Sequence, residues 1–95
     1  DVYKRQPYIV RTTFEPDYSA SDHWHNHDTM YFIMDGEMSF SEDEPLYKKG
    51  DIRVVKGGYS YGPEKPGKDG VTFILISNGG PIDLNWSDIK KPPIN

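Results

Sequence analysis

The chain has no cysteine among its 95 residues. That excludes a disulfide framework, and it excludes zinc ribbons and iron–sulfur clusters held by the chain's own thiolates. It leaves reducing and oxidising compartments both open. Long apolar runs are absent too: those at Met30 to Met34 and Phe73 to Ile76 are far too short to span a bilayer. No signal-peptide pattern opens the sequence. A soluble protein with no membrane partner is expected, cytoplasmic by default. Secretion stays open because the chain begins at Asp1 and not at Met, as a trimmed chain would. No basic run exceeds two residues, as at Lys48-Lys49 and Lys90-Lys91, and the net charge is −4, so a phosphate-binding surface and a nucleic-acid partner are not expected. Helix signals are missing as well, since no cap is followed by an apolar period of 3.6 residues.

What remains is strand. Tyr8 to Phe14, Met30 to Met34, Ile52 to Val55 and Val71 to Ser77 are rich in β-branched and aromatic residues. Turn signals separate them: Glu15-Pro16-Asp17, Asp35-Gly36 as a two-residue hairpin, Gly50-Asp51, Lys56-Gly57-Gly58 and Asn78-Gly79-Gly80-Pro81. Shorter strands are expected at Glu37 to Phe40, Leu46 to Lys48, Tyr59 to Tyr61 and Ile82 to Trp86. Gly62 to Gly70, with three glycines and two prolines, reads as a loop. Val71 to Ser77, the most apolar run, reads as the strand buried on both sides. The expectation is a single all-β domain over residues 1–95, a barrel or sandwich of about eight to ten short strands spanning about residues 8–86. Asp1 to Pro7 and Ser87 to Asn95 would be extended arms.

All three histidines fall within five residues, at His23, His25 and His27. Side chains alternate along a strand, so a strand there would turn the three imidazoles to one face and Trp24 and Asn26 to the other. Imidazole is a ligand for Zn, Fe, Ni, Mn or Cu, and the spacing does not choose among them. His23 and His25 are the first candidates for a divalent metal, against the plain alternative of two hydrogen-bonded histidines on an edge strand. His27 could add a third ligand only with a bend, because consecutive same-face positions across five residues span about 13 Å. Asp22 and Asp28 flank the group on the opposite parity, as surface or supporting groups.

This pattern resembles the cupin superfamily, small jelly-roll β-barrels with two short motifs. The first reads G-x5-H-x-H-x3-E-x6-G. His23 and His25 stand on its histidines, Thr29 on its glutamate and Gly36 on its last glycine, while Asp17 replaces the first. The second reads G-x5-P-x-G-x2-H-x3-N. Gly50 and Gly58 match it, Lys56 replaces the proline, Tyr61 the histidine and Lys65 the asparagine. Two of four family metal ligands are kept. Tyr61-Gly62-Pro63-Glu64 with His23-Trp24-His25 also looks like the cupin half of zinc-binding anti-sigma factors.

The resemblance implies a metal inside the barrel and Tyr61 beside it, as phenolate ligand, catalytic proton donor or acceptor, or substrate hydrogen-bonder. Its plain alternative is a barrel-filling aromatic. Tyr31 and Tyr59 share the inward parity and would line a pocket suited to a small organic ligand or substrate. Glu64 would join them if its loop folds back over the mouth, although a loop carboxylate is ordinarily solvated. Trp24, Met30, Phe32 and Met34, on the outward parity, would expose an apolar patch and so imply a homodimer.

Three functions follow from these residues. The first is a metal-dependent enzyme acting on a small organic molecule, as an oxygenase, isomerase, cyclase or lyase. The second is a non-enzymatic ligand-binding or sensor cupin with a structural metal or none. The third is a metal-free dimerisation module. One fold hosts many chemistries, so the fold does not choose among them.

Overall fold

The structure is a computed structural model that describes residues 7–94. It is all-β, as expected: among the described residues there are seven strands and no helix. They are β1 (Tyr8–Phe14), β2 (His23–Trp24), β3 (Thr29–Ser39), β4 (Tyr47–Lys48), β5 (Ile52–Val55), β6 (Lys65–Ser77) and β7 (Asn85–Trp86). No helix is long and apolar enough to cross a membrane.

The large sheet has the order β1-β6-β3-β4, with β5 also paired to β3, and the small sheet pairs β2 with β7. Every strand pair is antiparallel. The sequence-expected strand Val71 to Ser77 is the C-terminal half of β6 and lies between β1 and β3, with Phe73 opposite both Thr12 and Ile33. Alternation then sorts its side chains. Val71, Phe73, Leu75 and Ser77 are buried inside the barrel, while Thr72, Ile74 and Ile76 are half-buried on the outside.

Two expected turns are instead strand interior. Asp35-Gly36 makes no hairpin: β3 runs through it for 11 residues. Register shifts between Ile33 and Asp35 and between Gly36 and Met38 mark it as bulged. Gly36 has φ 76°, and a Cβ there would lie 2.2 Å from the Gly70 carbonyl oxygen, so the strand needs a glycine where the sequence suggests a turn. The expected loop over Gly62 to Gly70 is likewise strand from Lys65 onward, because β6 extends for 13 residues. Pro66 is tolerated because β1 stops at Phe14 opposite Val71, leaving the Lys65 to Gly70 half of β6 with β3 as its partner on one side only. The result is fewer strands than expected, with β3 and β6 longer and with β4 and β7 cut to Tyr47–Lys48 and Asn85–Trp86.

Inside the barrel Tyr31, Phe40, Phe73 and Met38 are almost fully buried. Phe40 packs edge-on against Tyr31 at 4.7 Å and Tyr47 at 5.0 Å, and the Arg53 guanidinium covers the Phe40 ring at 4.8 Å. This closes one part of the interior and leaves the part beyond Tyr31 for the site.

The expected C-terminal arm is not free. Ile89 and Lys90 turn back on Trp86, Ile94 N–H bonds the Gly58 carbonyl at 3.1 Å, and the Lys90 carbonyl accepts the Trp24 indole N–H at 2.9 Å. The N-terminal arm, except for Pro7, lies outside the described residues.

Candidate functional site

The site is built where the segment leading into β2 meets the segment leading into β6. Ala20 and Glu64 exchange backbone hydrogen bonds at 2.9 and 2.8 Å, and His23 and Tyr61 do so at 3.0 and 2.9 Å. Both bridges belong to one antiparallel register. Strand alternation alone would put Tyr61 and Glu64, three residues apart, on opposite faces. Gly62, at φ 135°, breaks that alternation, and both side chains are buried.

His23 and His25 are buried at 2 % and 6 % exposure. Each ring is oriented by a backbone carbonyl: His23 Nδ1–H donates to Ser21 O at 2.7 Å, and His25 Nδ1–H donates to Asp83 O. Each Nε2 therefore points inward with its own partner. His23 Nε2 meets Glu64 Oε1 at 3.1 Å. His25 Nε2 accepts from the Tyr61 hydroxyl at 2.9 Å, and Tyr61 is bonded in turn to the Tyr31 hydroxyl. The Asp83 carboxylate fixes the segment behind His25 by accepting from Asn26 N–H at 3.0 Å, Asn26 Nδ2 at 2.8 Å and Asn85 Nδ2 at 2.6 Å.

The two imidazoles are pushed in opposite directions. Burial works to lower the His23 pKa, but the hydrogen bond and charge of Glu64 outweigh it, so His23 titrates above the ordinary imidazole value. Burial lowers the His25 pKa, and the neighbouring His23 adds to that against its bond to Asp83. Burial, and next the Glu64 charge, raises the hydroxyls of Tyr31 and Tyr61 well above the usual phenol value. Both remain neutral phenols that donate hydrogen bonds.

These groups form the polar end of a cavity of about 260 Å³. His23, His25, Tyr31 and Glu64 line that end, and Phe14, Phe73, Leu75, Ile82 and Leu84 make its apolar walls. Glu64 is 3 % exposed, which reverses the expectation of a solvated loop carboxylate. Its Oε2 is buried without a hydrogen-bond partner.

Three expectations are corrected. His27 is exposed and takes no part in the site: β2 ends at Trp24, and bends at Asn26 and His27 break the parity that would have aligned the three imidazoles. Tyr59 is 42 % exposed and bridges Ile94, because residues 59–61 form isolated bridges rather than a strand. Trp24 is 4 % exposed, not outward on a free patch, because the C-terminal segment covers it. Sequence reasoning missed Asp83, Ile82 and Leu84, which arrive from the loop between β6 and β7 with no motif to mark them.

The donors do not fit the family's metal centre as they stand. Thr29, in the glutamate position, is a buried hydroxyl. Tyr61, in the histidine position, is held as a phenol. The two Nε2 atoms are bonded to Tyr61 and Glu64, and among the described residues no three His, Cys, Asp or Glu side chains are grouped to hold an ion.

No family model matches the sequence, and no curated protein is significantly similar to it. Solved structures do resemble the fold. A conserved protein with a double-stranded β-helix domain from Klebsiella pneumoniae superposes with a TM-score of 0.71 at 20 % identity, over 86 % of this chain and 70 % of that one. A cupin-like protein from Thermotoga maritima gives 0.65 at 20 % identity, over 87 % and 68 %. The chain has a cupin fold. Oxalate decarboxylase from Bacillus subtilis also shares this cupin fold, at a TM-score of 0.68 and 15 % identity, over 83 % of this chain. The chain spans 22 % of that enzyme's length. Cupin folds of this kind thus occur in enzymes, while the chemistry of this chain rests on its own residues.

Proposed function

We propose that this cupin is a ligand-binding protein. Its pocket takes a small, largely apolar molecule carrying one hydrogen-bond donor, such as a hydroxyl or an amine. The observation that carries this reading is the Glu64 carboxylate, buried at the polar end of a largely apolar cavity, with one oxygen bonded to His23 and the other unpartnered. A buried acceptor without a partner costs roughly 1–3 kcal/mol, and a ligand donor recovers it once the carboxylate turns this enclosed oxygen toward the cavity. The apolar walls supply the remaining affinity through burial of the ligand body. Tyr31, on the same polar end, orients the head group. His23 and His25 hold their protons at fixed atoms, and His23 balances the Glu64 charge. Of the functions legible in the sequence this is the non-enzymatic one, without a metal.

The test is a thermal-shift and calorimetric comparison of short-chain and aromatic alcohols and amines with shape-matched hydrocarbons. Donor-bearing compounds should stabilise the protein, and Glu64→Gln should remove their advantage over the hydrocarbons. Equal binding of both classes, or no binding at all, would overturn the reading. Tight stoichiometric binding of a divalent metal that requires both His23 and His25 would replace it with the metal-dependent enzyme.

A further inference from the structure

The outer face of the large sheet is apolar in register. Two rows of side chains cross four strands: Ile9, Ile76, Met30 and Val54 in one, and Arg11, Ile74, Phe32 and Ile52 in the next. Seven of these eight are hydrophobic. Ile9, Ile52 and Val54 are 60, 51 and 61 % exposed, and Met34, further along β3, is 50 % exposed. Met30, Phe32, Ile74 and Ile76 are half-buried, and Arg11 is exposed. Arg11 is the single charge in the two rows, on a chain with 11 basic and 15 acidic residues.

From this face we infer that the protein is a homodimer, with a second copy packed across the outer surface of β1, β6, β3 and β5. Three arguments favour a second copy. The first is area. Four strands about 4.8 Å apart and a seven-residue β1 give a face of roughly 19 by 23 Å. That matches the apolar core, inside a polar rim, of a standard interface burying about 800 Å² per partner. The second is composition: charge depletion of this degree marks the more apolar contacts of homodimers rather than transient ones. The third is shape. The face is the outer side of a sheet, and sheets cover such surfaces by packing on another sheet about 10 Å away. A two-fold contact supplies that sheet from the same chain. The homodimer patch expected from the sequence thereby keeps Met30, Phe32 and Met34, gains Ile9, Ile52 and Val54, and loses Trp24, which the chain covers itself.

Analytical sedimentation with light scattering on the full chain tests this. A dimer is expected at micromolar concentration. Ile52→Glu and Val54→Lys, made separately, should each weaken association by roughly tenfold or more, because each forces a charge into the contact. Circular dichroism should stay unchanged, since both positions are exposed in one copy. Ile89→Glu, at an 81 % exposed position off this face, should leave the dimer intact. A monomeric wild type would overturn the inference and leave the face to a different partner. A dimer that survives both β5 substitutions would overturn it by placing the contact elsewhere. If either β5 variant misfolds, the other decides.

Discussion

His23 Nε2 lies 3.1 Å from Glu64 Oε1, with both side chains almost fully buried. The contact joins two segments 41 positions apart, and the backbone bridges Ala20 to Glu64 and His23 to Tyr61 enforce it. Removing one partner strands the other in a low-dielectric interior. Glu64→Ala is expected to cost about 3 kcal/mol, and His23→Ala a comparable amount. The double variant should lose clearly less than the sum. Urea unfolding with an unchanged slope measures this. Additive single losses would show that the pair carries no coupling.

The opposed shifts of the two imidazoles predict a domed pH dependence of stability. His23 has a raised pKa in the fold, so its contribution is full below the unfolded value near 6.5 and is lost as pH rises through the folded value. His25 has a lowered pKa, so its contribution is full above about 6.5 and is lost as pH falls toward the folded value. Together they place the maximum near pH 6.5. Melting curves across this range should show His23→Gln flattening the alkaline limb and His25→Gln flattening the acid limb. The same limb lost in both variants would contradict the assignment.

How much of this was legible in the sequence depends on how local each determinant is. β1 and β5 carry β-branched runs closed by turn residues, and their limits were readable to the residue. β3 and β6 were not, because glycines and prolines signal turns and bulges alike. Only the long-range pairing of Gly36 with Val71 and of Met38 with Pro66 tells the two apart. At the site, His23, His25, Tyr61 and Tyr31 were readable from motif and parity. His27 and Tyr59 were misplaced because parity presumes a continuous strand, and both lie just beyond where the strand geometry stops. Trp24 was misplaced because its cover, Lys90, comes from the far end of the chain.

Metal titration separates the family's usual chemistry from that of this chain. With both Nε2 atoms engaged and Tyr61 held as a phenol, a divalent ion must displace Glu64 from His23 and Tyr61 from His25 before it can bind. Calorimetry with zinc, nickel and manganese should show no tight stoichiometric event, and a chelator should leave the melting temperature unchanged. A one-to-one event lost in His23→Ala and His25→Ala would refute this.

The last prediction concerns the tyrosine pair. The Tyr61 hydroxyl is the donor for His25 Nε2 and is bonded to the Tyr31 hydroxyl, so the two phenols form one chain that ends on a buried imidazole. Tyr61→Phe keeps the ring that packs on His23 at 4.7 Å and removes only the oxygen. The buried His25 Nε2 then has no donor, which should cost about 1–3 kcal/mol. Tyr31→Phe leaves the bond from Tyr61 to His25 in place and should cost less, about 1 kcal/mol. Because the two hydroxyls share one bond, the double variant should cost less than the two singles added. Chemical denaturation of the three variants measures the ordering. If Tyr31→Phe proves the more damaging single change, Tyr61 is not the group that holds His25, and the proton order along the chain is reversed.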